Sequence, residues 1–156
     1  MSSFESGDIN YKNKVSSSFT RQPFMELIGA ELIDVQPGYC EIQLPYKNEL
    51  SQQHGYFHGG VTGTIADNCG GYAAYSLMPE GASVLTVEYK INLIAPGKGE
   101  RLIGRVKVIK PGRTLMISST EVFVVSNGIE KLCATSLMTL MAMHGKSDQP
   151  VPTKDS

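Results

Sequence analysis

Tryptophan is absent from the 156 residues, and cysteine and histidine occur only three times each. Cys40, Cys69 and Cys133 show no CxxC spacing and sit among apolar neighbours. They read as buried reduced thiols, which excludes a disulfide framework and points to the cytoplasm. His54 and His58 stand four residues apart in HGYFH, but with only two histidines near a single acid no metal centre is expected. Neither charge sign dominates: 14 Lys and Arg stand against 15 Asp and Glu, a balance without the basic footprint of a nucleic-acid binder. No apolar run approaches the roughly 18 residues that a membrane span needs. The opening MSSFESGDINYKNK has no hydrophobic region of a secretory signal. The length suits one domain with a substantial core.

The most informative stretch is Gln52 to Met78, QQHGYFHGGVTGTIADNCGGYAAYSLM. It reads as a loop feeding a long helix that starts near His58-Gly59-Gly60. On a helical wheel, Gly60, Gly63, Thr64, Gly70, Gly71 and Ala74 gather on the side of Asp67. Val61, Ile65, Cys69, Tyr72 and Ser76 fall mostly opposite. Each interior glycine costs up to ~1 kcal/mol against alanine. The compensation expected is close approach of a sheet, another backbone or a ligand. A single carboxylate on such a bare face is either a structural partner or a candidate base or nucleophile.

Around that stretch the chain reads in order. Residues 1–14 are expected to be flexible. Ser16, Ser17 and Ser18 offer N-caps for a helical segment through Phe19, Phe24, Leu27 and Ile28 that stops at Gly29. Glu31 to Val35 and Tyr39 to Pro45 read as strands joined by Gln36-Pro37-Gly38. After the long helix come strand patterns at Ser83 to Leu93, Arg101 to Ile109, Leu115 to Val125 and Ile129 to Met143. Ser126-Asn127-Gly128 is the strongest hairpin signal, and the last four runs read as a meander. Residues 144–156 are expected to form a flexible tail. The class is α+β, an antiparallel sheet packed on one central helix. The sheet's second face and its edges need cover, so a homodimer is expected.

The order and spacing of these motifs resemble the hotdog-fold acyl-CoA thioesterases of the phenylacetate-pathway and human thioesterase-superfamily-member-two type. The resemblance runs from about Phe24 to Met143. It is carried by His58-Gly59-Gly60, by Asp67 nine residues after the histidine, and by Gly71 and Ala73-Ala74 in the same helix. Thr86-Val87-Glu88-Tyr89-Lys90-Ile91-Asn92 with Ala95-Pro96, and Lys110-Pro111-Gly112-Arg113-Thr114, complete it. It implies one hotdog domain over 15–143, a sheet wrapped around the long helix with an N-terminal helix, and a dimer or tetramer. It also implies hydrolysis of acyl-CoA to free acid and CoA, with no cofactor because CoA belongs to the substrate. Gly59 N–H would polarise the thioester carbonyl and Asp67 of the other subunit would act as nucleophile or base. His58 would help to position the thioester. Gln52, where relatives usually carry asparagine, would hold the attacking water or the acid, and Thr86 would assist from its strand. Gly60, Glu88, Lys90, Lys110, Gly112, Arg113 and Thr114 are the candidate CoA contacts.

The chemistry supports a two-subunit arrangement independently. A helix N-terminus offers unpaired N–H groups and partial positive charge, which stabilise a tetrahedral oxyanion. Asp67 lies eight residues beyond Gly59, about 12 Å along a helix. That is too far for both to grip one carbonyl, so a second helix is required. The alternative function is a non-catalytic acyl-CoA sensor, which would not need Asp67. A dehydratase of the same superfamily would carry a proline-rich loop before its acid, and His58-Gly59-Gly60 does not match it.

Overall fold

The computed structural model describes residues 4–146 and 148–150. Six strands form where the sequence alternates: β1 (Glu31–Gln36), β2 (Tyr39–Pro45), β3 (Ala82–Leu93), β4 (Arg101–Lys110), β5 (Leu115–Ser126) and β6 (Ile129–His144). In β2, Cys40, Ile42 and Leu44 are buried while Glu41 and Gln43 remain partly exposed, the half-wet pattern of a strand covered on one face. Asn127 and Gly128 adopt φ of 51° and 76°, the left-handed pair that a tight two-residue hairpin turn requires.

Every pairing is antiparallel, and the order across the sheet is β1-β2-β4-β5-β6-β3. Only β4, β5 and β6 form the expected meander. β3 instead occupies the far edge, beside β6. The cause is the helix α3 (Gly59–Tyr75), which separates β2 from β3 in the chain and packs against β2, β4, β5, β6 and β3 in turn. Crossing the sheet, it delivers the chain to the opposite edge.

Ile65, Ala66, Cys69 and Ala73 of α3 are fully buried against the sheet. Each large apolar side chain so buried stabilises the fold by ~1.5–3 kcal/mol. Gly70 belongs to this buried face: a Cβ there would lie 1.7 Å from Met138 Sδ. The expected close approach of a sheet is thus real, but Gly70 serves the sheet-facing side and not the bare side around Asp67.

The N-terminal helices are α1 (Tyr11–Thr20) and α2 (Pro23–Ile28). Helix therefore begins inside the stretch expected to be flexible, and Ser16, Ser17 and Ser18 lie within α1 instead of capping it. Val15 and Phe19, one turn apart, are buried and tie the helix to the core. Lys14 pairs with Asp8 at 3.2 Å and donates to the Met78 carbonyl at 2.7 Å. Gly29 ends α2 with φ 80°, as its sequence position predicts. At the other end β6 runs to His144, and Asp148 meets Arg21 at 2.6 Å. The remainder of the two stretches expected to be flexible, residues 1–3, 147 and 151–156, lies outside the described residues.

Among the described residues, β3 pairs with β6 alone, leaving its outer backbone edge unpaired. Leu85, Val87, Tyr89 and Leu93 along it are 44–56% exposed. Among the described residues no helix is long and apolar enough to cross a membrane.

Candidate active site

The N-terminus of α3 is built by His58. Its Nδ1 accepts the Gly60 N–H at 2.9 Å, and its carbonyl accepts from Val61 and Thr62 at 3.0 and 3.1 Å. An Nδ1 that accepts leaves the imidazole proton on Nε2, on an exposed ring. The capping therefore consumes every N–H of the first turn except that of Gly59, which has no acceptor among the described residues. A Cβ at 59 would lie 2.8 Å from Leu93 Cδ1, the tip of a half-exposed side chain that would have to shift. The free donor faces a cavity of about 400 Å3 lined by Gln52, Tyr56, Phe57, Gly59, Thr62 and Leu93 among others. Gln52 stands at its wall, where its Oε1 accepts the His54 N–H and its carbonyl accepts the Gly55 N–H.

Two turns further along α3, Asp67 Oδ1 accepts the Thr86 hydroxyl at 2.7 Å. A bulge in β3 makes this possible. Thr86 pairs with Leu140 and Glu88 with Thr139, so Val87 is the extra residue. Leu140 and Met138 are buried on the helix side. The bulge thus places Thr86 and Tyr89 together on that side, where strict alternation would have separated them. Asp67 and Thr86 line a second cavity of about 390 Å3 with Asn68, Gly71, Tyr72 and Gln22.

Within one chain these are two separate cavities. Neither cavity contains both the Gly59 donor and the Asp67 carboxylate.

A profile described as "Thioesterase superfamily" matches residues 54–130, which span the α3 N-terminus, Asp67 and Thr86. The crystal structure of a thioesterase family protein from Silicibacter pomeroyi is 46% identical, covers 86% of this chain and 99% of its own, and superposes with a TM-score of 0.85. The chain belongs to the thioesterase superfamily. The human protein named acyl-coenzyme A thioesterase 13 is 30% identical over 91 residues, 58% of this chain and 64% of that protein. The Escherichia coli PaaI protein from the phenylacetic acid degradation operon shares the fold, with 18% identity, a TM-score of 0.77, and coverage of 87% and 95% of the two chains. The hotdog architecture and the hydrolase class that the motifs implied are therefore those of this chain.

In this thioesterase the remaining candidates are dispersed. Gly60 sits beside the His58 ring, its N–H occupied by the cap. Glu88 and Lys90 pair with Thr139 and Leu137 on the outer face of the sheet, away from α3, and Glu88 accepts the Thr139 hydroxyl at 3.2 Å. Lys110 ends β4, and Gly112, Arg113 and Thr114 lie in the turn between β4 and β5. Gly112 and Arg113 there share a cavity with Leu77 and Met78, so the turn lies at the opposite end of α3 from Gly59. His144 approaches the Arg113 carbonyl through Nε2 at 2.8 Å. Among the described residues no group of three or more His, Cys, Asp and Glu is placed to hold a metal ion.

Sequence reasoning missed Gln22 and Asn68. Gln22 Nε2 donates to Asn68 Oδ1 at 3.1 Å and to the Tyr72 hydroxyl. Burial pushes the Tyr72 phenol above its ordinary value, so it stays a neutral hydroxyl in that network. A glutamine before a proline carries no local signal of such a role.

Proposed function

We propose that this thioesterase hydrolyses acyl-CoA as a homodimer, with Gly59 N–H of one subunit polarising the thioester carbonyl and Asp67 of the other supplying or activating the attacking oxygen. The observation that carries this reading is the division of one reaction's requirements between two separate cavities on one helix. Pairing of two β3 edges would cover their exposed apolar side chains and set two copies of α3 side by side, antiparallel. Gly59 of one copy then faces Asp67 of the other. The same antiparallel arrangement carries the β4–β5 turn, with Lys110 and Arg113, toward the other subunit's Gly59, where CoA phosphates would need cations. The acyl-CoA specificity follows the name of the human relative. The buried free cysteines suit a reducing compartment, the cytoplasm.

In this reaction the carbonyl oxygen gains charge as the tetrahedral intermediate forms, and the Gly59 N–H, reinforced by the helix dipole, holds it. Asp67 either attacks the carbonyl carbon, giving a mixed anhydride that water then opens, or takes a proton from attacking water. CoA leaves as its thiolate. Thr86 orients the carboxylate, and the exposed His58 Nε2–H is free to donate to the substrate.

Free-thiol release from short, medium and aryl acyl-CoAs tests the reading. Wild type is expected to turn over at least one of them and Asp67→Asn none. A mixture of Asp67→Asn and Gly59→Val chains, each inactive alone, is expected to recover activity through hybrid dimers with one intact site. No recovery, with hybrid dimers demonstrated by native mass spectrometry, would place both groups in one subunit's site and overturn the proposal.

A further inference from the structure

The cavity beside Asp67 extends beyond what the hydrolysis step requires. One turn past Asp67, a Cβ at Gly71 would meet nothing within 4 Å. The space above it is therefore open, and the same cavity is lined at its polar end by Ser18, Gln22, Tyr72 and the Arg21–Asp148 ion pair. From Asp67 to Gly71 is about 6 Å along the helix, room for a short acyl chain.

The polar end is a connected network. Gln22 Nε2 donates to Asn68 Oδ1 and to the Tyr72 hydroxyl, and Ser18 Oγ lies 3.3 Å from that hydroxyl. Asn68 Nδ2 is itself engaged with the Thr64 carbonyl at 3.1 Å. Both Gln22 amide hydrogens are thus committed inside the protein, while its Oε1 has no donor among the described residues. The residue arrives from the α1–α2 junction, whose geometry is set by Pro23, so the acceptor is held by an element outside α3 and the sheet.

We propose that Gln22 is a specificity-determining residue, and that the preferred acyl group ends in a hydrogen-bond donor such as a hydroxyl, which reaches Gln22 Oε1 across Gly71. This rests on the thioesterase reading above and adds the class of acyl group to it. A methyl-terminated chain of the same length would strip water from Oε1 and return no donor, and an acceptor left unpaired on burial is penalised.

The test compares hexanoyl-CoA with ω-hydroxyhexanoyl-CoA in wild type, Gln22→Met and Gly71→Leu, with the melting temperature of each variant as the fold control. Wild type is expected to favour the hydroxylated substrate in kcat/KM on the order of tenfold. In Gln22→Met the preference falls to near parity. Gly71→Leu, which fills the space between Asp67 and the network, lowers kcat/KM for both hexanoyl substrates more than for acetyl-CoA. Equal wild-type rates for the two hexanoyl substrates, or a preference that survives Gln22→Met, would overturn the inference. If no acyl-CoA is turned over, the proposed reaction is what fails. Calorimetric dissociation constants for the same two compounds then decide the subsite, and equal values refute it.

Discussion

Gly70 and Gly71 are neighbours in the chain, yet a Cβ at the first would lie 1.7 Å from Met138 Sδ, whereas at the second it would meet nothing within 4 Å. Both interrupt the same helix and both lower its intrinsic stability by a similar amount. One lets the sheet come close, and the other keeps a cavity open beside Asp67. The two faces of α3 therefore use the same residue type for opposite ends: the sheet face removes a side chain to gain packing, and the groove face removes one to leave room. Stability and activity should separate along this divide.

The largest effect is expected on the groove face. Asp67→Asn keeps the shape and removes the base, so turnover should fall by at least about a thousandfold while the melting temperature stays within a few degrees. Loss of folding in that variant would move Asp67 to the structural side of the comparison. Gly70→Ala, on the sheet face, should reverse the pattern. Met138 is fully buried and must be displaced, so a destabilisation of ~1–3 kcal/mol is expected, read by urea denaturation, with kcat/KM of the folded fraction little changed.

Thr86→Val removes the hydroxyl that Asp67 accepts at 2.7 Å and keeps the side-chain shape. Loss of that bond should lower kcat on the order of tenfold, with recovery in Thr86→Ser. A drop that Thr86→Ser does not restore would assign the effect to packing of the edge strand. The smallest change is Gly71→Ala, where nothing opposes the new methyl. Helix propensity alone then raises stability by up to ~1 kcal/mol, seen as a higher melting temperature. A decrease would mean that the groove face is not open.

Much of this was legible in the sequence because it depends on local chemistry. The turn at Asn127-Gly128 follows from the left-handed φ it demands. The helix start at His58-Gly59 and the alternation in β2, β4 and β6 follow from periodicity and from the needs of unpaired N–H groups. The bare face around Asp67 was legible from the helical wheel, whereas the role of Gly59 came from the resemblance, and helix rise added only that one helix cannot bring the two together. The expected caps at Ser16 to Ser18 missed α1's true start because its first turn is held by Asp8, just before the helix, and by the Met78 carbonyl, distant in sequence, which accepts from Lys14.

Other features existed only once the chain had folded. The sequence determined which residues could carry the chemistry and which elements would hold them, through hydrogen-bonding capacity, periodicity and the φ that each residue tolerates. The tertiary structure decided that β3 crosses to the far edge, that a bulge at Val87 turns Thr86 toward Asp67 while leaving Glu88 and Lys90 outside, and that Gln22 lines the cavity beside Asp67. A bulge breaks the two-residue period from which strand faces are read. An edge assignment and a contact across 46 residues, such as Gln22 with Asn68, depend on how α3 lies over the sheet, and no local propensity encodes that.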